Sequence, residues 1–160
     1  MEGINEYVLD RPIAELPEGS VQEFSNWNYE SFKQDYGIVR SFPGEVFYRA
    51  TNNNDFIGRE CIHTLIAAVQ GKVYKVLFRF ISPSNPKYDS FREDAYDCLV
   101  DKFGNPSETR GLSEFRKISI WDVNFGNVIL DFDMFGTSII FTSSALRPKK
   151  KSILKRLFGS

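Results

Sequence analysis

His63 is the only histidine in the chain, and it stands two residues from Cys61. A thiol beside an imidazole can be activated to a thiolate nucleophile. In a strand, residues at i and i+2 share a face. Such neighbours diverge from the pleat rather than converge, so the spacing predicts an ordinary buried cysteine and a strand histidine. Cys98 is the other cysteine. Two thiols in a chain with no export signal are expected to be reduced and to act as small hydrophobes. One histidine and two distant cysteines cannot close a zinc site without carboxylates.

Carboxylates are the next candidates. Asp131 and Asp133 are expected on one face of a strand, with Asp122 opposite on its neighbour. Paired carboxylates can shift each other's protonation or hold a hard cation. A solvated sheet face ending in a turn is the plainer expectation. Glu93, Asp94, Asp97 and Asp101 recur on one side of a helical pattern and form an acidic stripe that could receive a basic partner. Trp27 and Tyr29, within the aromatic and polar stretch Phe24–Tyr36, complete the candidate partner-contacting residues. The chain has no Gly-x-Gly-x-x-Gly, no Gly-Lys-Ser/Thr and no Gly-x-Ser-x-Gly. No catalytic, metal-ligating or cofactor-binding residue is therefore assigned, and no cofactor is expected.

The elements that must position these residues follow from periodicity. Residues 1–43 read as a helical or irregular cover, since Pro12 and Pro17 interrupt any long helix. Glu45–Ala50 reads as a strand. Thr51–Asp55 is a turn rich in Asn, and Ile57–Gln70 reads as one long strand. After a turn at Gly71, Lys72–Ile81 alternates apolar and polar side chains. Lys87–Phe103 is expected to be helical, capped by Asn85 with Pro86 in the first turn. Its apolar face is Phe91, Ala95, Leu99 and Phe103, and Gly104 and Pro106 stop it. Lys117–Val123, Asn127–Asp133 and Thr137–Ser143 are separated by short links that force antiparallel pairing. The expected fold is α+β: an antiparallel meander sheet of about six strands, order βββ-α-βββ, with one main helix on a face.

The run Phe103-Gly104-Asn105-Pro106, followed by Ile118–Trp121 and the meander, resembles small bacterial domains of unknown function, including immunity-type proteins that neutralise a toxin. The resemblance spans about residues 87–146 and transfers no functional residue. It implies a binding role.

With 160 residues, the chain is expected to form one domain over residues 1–146. It needs no metal or disulfide for stability. Fifteen phenylalanines and seven tyrosines suit a strand-rich, bulky core. Charge is unevenly placed. Residues 1–60 hold 11 acids and 5 bases, whereas residues 147–160 hold 6 bases and no acid. The acidic body argues against nucleic-acid binding. The tail, with Ile153, Leu154, Leu157 and Phe158, could dock on an anionic membrane surface, but a solubilising terminus is preferred. The N-terminus lacks a signal-peptide pattern and no run reaches membrane-span length, so the expected compartment is the cytoplasm. A non-enzymatic protein-interaction domain, an inhibitor, immunity protein or adaptor, is the leading expectation. The alternative is a small-ligand binder or enzyme with an aromatic pocket under the sheet.

Overall fold

The computed structural model describes residues 8–24, 44–51, 55–81, 90–113, 116–133 and 135–145. The strands are β1 (Val21–Glu23), β2 (Val46–Ala50), β3 (Asp55–Phe56), β4 (Arg59–Glu60), β5 (His63–Val69) and β6 (Lys72–Ile81). After the helix α1 (Phe91–Phe103) come β7 (Glu108–Ser113), β8 (Arg116–Val123), β9 (Gly126–Asp133) and β10 (Gly136–Ser143). Eight strands make one antiparallel sheet in the order β1-β2-β5-β6-β10-β9-β8-β7, and β3-β4 is a separate two-stranded ribbon. The sheet is two four-stranded meanders joined along β6 and β10. The chain leaves β6 at the centre, passes through α1, and resumes at the far edge with β7.

The α+β class and the antiparallel sheet agree with expectation, but strand number and order do not. The sheet has eight strands, not about six. The expected strand Ile57–Gln70 is interrupted, because Ile57 (φ 45°) and Gly58 (φ 77°) form the turn of the β3-β4 ribbon. Positive φ at two consecutive central residues is the geometry of a two-residue hairpin turn. An isoleucine conceals that signal, since β-branched residues rarely adopt it. Burial of Phe56 gives the ribbon its anchor. Strand β7 was hidden for another reason. Its residues Glu-Thr-Arg-Gly-Leu-Ser are all exposed, so no apolar alternation marks them. Within the N-terminal cover, Ile13–Glu15 is a 3-10 turn and β1 is a strand, paired with β2. The cap at Asn85 and Pro86, and residues 25–43 and 146–160, lie outside the described residues; the described helix starts after Ser90. Gly104 ends it with φ 78° and an N–H donated to the Val100 carbonyl at 2.8 Å, as its position predicts.

Alternation sorts the sheet into two faces. The inner face presents Ile66, Val76, Phe78, Phe80, Val128, Leu130, Ile139, Phe141 and Trp121, all buried. Against these pack Phe91, Ala95 and Leu99 of α1. Phe80 and Phe91 have ring centroids 4.7 Å apart. Phe103 is only half-buried, edge-on to Phe125 at 6.2 Å. The Trp121 indole N–H donates to the Gly104 carbonyl at 2.8 Å, tying the end of α1 to β8.

Eight strands at a spacing of about 4.8 Å span on the order of 34 Å, whereas a helix is about 10 Å wide. One helix therefore cannot cover this face. Val8, Leu9, Leu16 and Phe56 join the same core and cover part of the remainder. The N-terminal segment is held to the β5-β6 turn by hydrogen bonds from Asp10 N–H to the Val73 carbonyl (2.7 Å) and from Ile13 N–H to the Gly71 carbonyl (2.8 Å). On the outer face Leu65, Leu77, Ile140, Ile129 and Ile120 stand directly opposite one another across five strands.

Candidate functional site

Incomplete cover by α1 leaves a cleft of about 330 Å3 between the first half of the helix and strands β8 and β9. Its floor is apolar, made by the buried Leu130 and Phe132. Steps of three and four along α1 bring Arg92, Tyr96, Glu93 and Asp97 to the cleft, and β8 contributes Lys117 and Ser119. The Arg92 guanidinium lies 4.6 Å from the Phe132 ring centroid and pairs with Glu93 at 2.7 Å. The Lys117 ammonium is 5.9 Å from the Tyr96 centroid, and Tyr96 lies 5.8 Å from Trp121. Cations over aromatic faces keep their charge while shielding the ring. The cleft thus joins aromatic walls to two acids and two bases. Ser119 is buried and 3.4 Å from the Thr109 hydroxyl, and neither a histidine nor a cysteine lines the cleft.

The acidic stripe divides here. Glu93 and Asp97 line the cleft, while Asp94 accepts a hydrogen bond from the Ser90 hydroxyl at 3.2 Å and Asp101 is exposed beyond the cleft. Trp27 and Tyr29 lie outside the described residues.

The remaining candidates are placed as follows. The Cys61 sulfur is buried, 2.8 Å from the His63 backbone carbonyl oxygen and 3.3 Å from that of Arg79, and it accepts from the Thr64 hydroxyl at 3.6 Å. Burial above all, aided by the charge of Glu60, pushes its pKa up despite those hydrogen bonds. That is opposite to an activated thiol. Burial and then the charge of Arg49 hold the His63 pKa below its usual value. Both cysteines are free thiols.

Asp131, Asp133 and Asp122 do not converge. Asp131 takes Arg116 in a two-pronged contact (2.8 and 3.2 Å), Asp133 takes Arg79 at 2.9 Å, and Asp122 accepts from the Asn127 amide at the other end of the β8-β9 hairpin. The Asp133 carboxylate also accepts from the N–H groups of Phe135 (2.8 Å) and Gly136 (3.1 Å). Burial alone would raise its pKa. The Arg79 hydrogen bond, the two N–H groups and the Arg79 charge together bring it below the usual range. Among the described residues, no group of three His, Cys, Asp or Glu side chains could hold a metal ion.

One cluster had no sequence signal. Glu45 is fully buried, accepts the Tyr74 hydroxyl's hydrogen bond and lies 3.6 Å from the Lys75 ammonium. A bulge brings them together: Ala67 and Ala68 pair with Lys75 and Val73, leaving Tyr74 as the extra residue on β6. Burial lowers the Lys75 pKa, against the pull of Glu45. A bulge breaks the period-two pattern by one residue, which single-sequence alternation cannot place.

No described helix is long and apolar enough to cross a membrane. No protein family, no curated protein and no solved structure matches the chain.

Proposed function

We propose that this chain is a non-enzymatic protein-interaction domain, an inhibitor or adaptor, that receives a basic segment of a partner protein in the cleft between α1 and β8-β9. The observation that carries this reading is the cleft's composition: an apolar floor of Leu130 and Phe132 beside the acids Glu93 and Asp97, with Arg92, paired to Glu93, and Lys117 at its walls. An aliphatic or aromatic side chain of the partner would sit on the floor, and its basic neighbours would meet Asp97 and exchange with Arg92 for Glu93. Interfaces of this kind draw affinity from the apolar anchor, and orientation and association rate from the charges.

A second reading has one observation in its favour. Tyr96 and Phe132 flank a few ionised groups in a volume at the small end of ligand sites, roughly 300–1,000 Å3. A small zwitterion would fit that description.

Affinity capture from host extract, followed by pairwise binding with the purified captured protein, separates the two. The full chain, its Glu93→Lys/Asp97→Lys variant and a Glu15→Lys control are compared. A protein bound by the wild type and the control, lost on the double reversal, and released as salt rises is the expected result. A protein held equally by all three would place the interface elsewhere. Saturable binding of a small zwitterion that Tyr96→Ala abolishes would select the second reading.

A further inference from the structure

We propose that a second cleft, between the end of β2 and the start of β5, binds a phosphate group. It lies at the other end of the sheet from the α1 cleft and does not rest on the function proposed above. The cleft encloses about 250 Å3, which suits a small anion. It exists because the pairing of β2 with β5 stops at Arg49 and Leu65, where the chain departs into the β3-β4 ribbon. Past that point Thr51 is tied away, its N–H donating to the Ser20 carbonyl (2.9 Å) and its hydroxyl to the Gly19 carbonyl (2.6 Å).

Three donors of different geometry line the gap: the Arg49 guanidinium, the His63 imidazole and the Gln22 amide. Among the described residues that line it there is no carboxylate. Among the described residues none lies within ion-pair distance of Arg49. The nearby described charges have other partners or face elsewhere. Arg79, opposite His63 on β6, holds Asp133 and Ser138, each at 2.9 Å. Glu23 pairs with Tyr48 and so faces the other side of the sheet from Gln22 and Arg49. Glu60 precedes Cys61 and acts on that thiol. Among the described residues, the cleft is therefore a concentration of donors around a guanidinium with no acid beside it. A guanidinium fork matches the spacing of phosphate oxygens.

The imidazole provides the readout. Burial and the Arg49 charge depress its pKa, and an anion placed between the two groups reverses the second effect. His63 is the sole histidine, so its ring-proton resonance can be titrated alone in the full chain.

The experiment follows that resonance from acid to neutral pH at constant ionic strength, with chloride replaced stepwise by inorganic phosphate or by glycerol 3-phosphate. The expected result is a saturable rise in the His63 pKa. In Arg49→Gln it should need about tenfold more ligand, with an unchanged melting temperature because Arg49 is exposed. Gln22→Ala should weaken the same response. Tighter binding of glycerol 3-phosphate would assign a phosphomonoester; equal or weaker binding would assign the free ion. A His63 curve indifferent to millimolar amounts of both, or a response equal in Arg49→Gln, would overturn the proposal.

Discussion

The two meanders of this sheet differ in regularity, and the difference decides where unusual chemistry sits. From β7 to β10 successive strands are neighbours in space. Among the described residues of that half, the register shifts only at the exposed edge, between Gly111 and Ser113. Its described acids hold partners at the sheet surface, as Asp131 does with Arg116. Among the described residues, the half from β1 to β6 is interrupted by the β3-β4 ribbon after β2 and by the bulge beside Tyr74. Those interruptions are where Glu45, Lys75, His63 and Cys61 become partly or wholly buried. Among the described residues, the buried charged side chains, Glu45 and Arg79, belong to the interrupted half, while the regular half partly buries Asp133 against Arg79. The cleft beside the regular half has a different origin, the narrowness of α1 against a wide sheet.

The sharpest way to break this comparison is to ask whether the halves unfold separately. Trp121→Ala in the regular half should cost about 3–5 kcal/mol, and Ile66→Ala in the interrupted half about 2–5 kcal/mol. Both side chains belong to one continuous core, so denaturant unfolding should show a single transition in each variant. Two resolved transitions would make the meanders independent units. The turn glycines come next. A Cβ on Gly126 would lie 1.8 Å from the Thr142 carbonyl oxygen at φ 151°, so Gly126→Ala must push β10 away. A loss exceeding the roughly 1–3 kcal/mol of ordinary backbone strain is expected in the same assay. A smaller loss would show that the β9-β10 edge yields easily.

Acid titration of stability sharpens the comparison with a smaller effect. Asp133 has a folded pKa below its ordinary value, so its contribution is present above that value and is lost as pH falls through the folded pKa. Asp133→Asn should flatten the stability curve below about pH 4. His63 also has a lowered folded pKa, but it acts in another window. Folding keeps it neutral, so stability declines as pH falls below about 6.5, and His63→Gln should flatten that limb in phosphate-free buffer. A variant curve that keeps either limb would mean that the named side chain does not carry it. Least affected should be Glu108→Ala. Its pairing with Arg110 is fully exposed, and the melting temperature should not move.

The sequence disclosed elements wherever one physical rule governed the residues. Lys72–Ile81 alternates and is a strand; Phe91, Ala95 and Leu99 recur at helical spacing and are buried; Gly104 and Pro106 end the helix where expected. It failed where tertiary context overrode local pattern. Ile57 turns because Phe56 is anchored in the core, β7 is a strand because β8 offers it an edge, and Tyr74 is an extra residue because β5 and β6 slip in register. Of the candidate site, the acidic residues Glu93 and Asp97 were legible from helical spacing. Arg92, Tyr96, Lys117 and Phe132 were not, since their meeting depends on where a helix crosses strands distant in sequence. Arg49 and His63 are likewise 14 residues apart, joined only by a cleft that opens where two strands separate.

The seam between β6 and β10 has a kinetic consequence. Every other pairing among β5 to β10 joins strands adjacent in the chain and is closed by a short turn. The seam instead joins residues roughly sixty positions apart. Closing so long a loop costs entropy before any seam contact can compensate, so the search for native topology should be limited by that one step. Conservative truncations on the seam, such as Ile139→Val opposite Phe78, should slow refolding in stopped-flow measurements. Equivalent truncations in the β8-β9 hairpin should chiefly quicken unfolding.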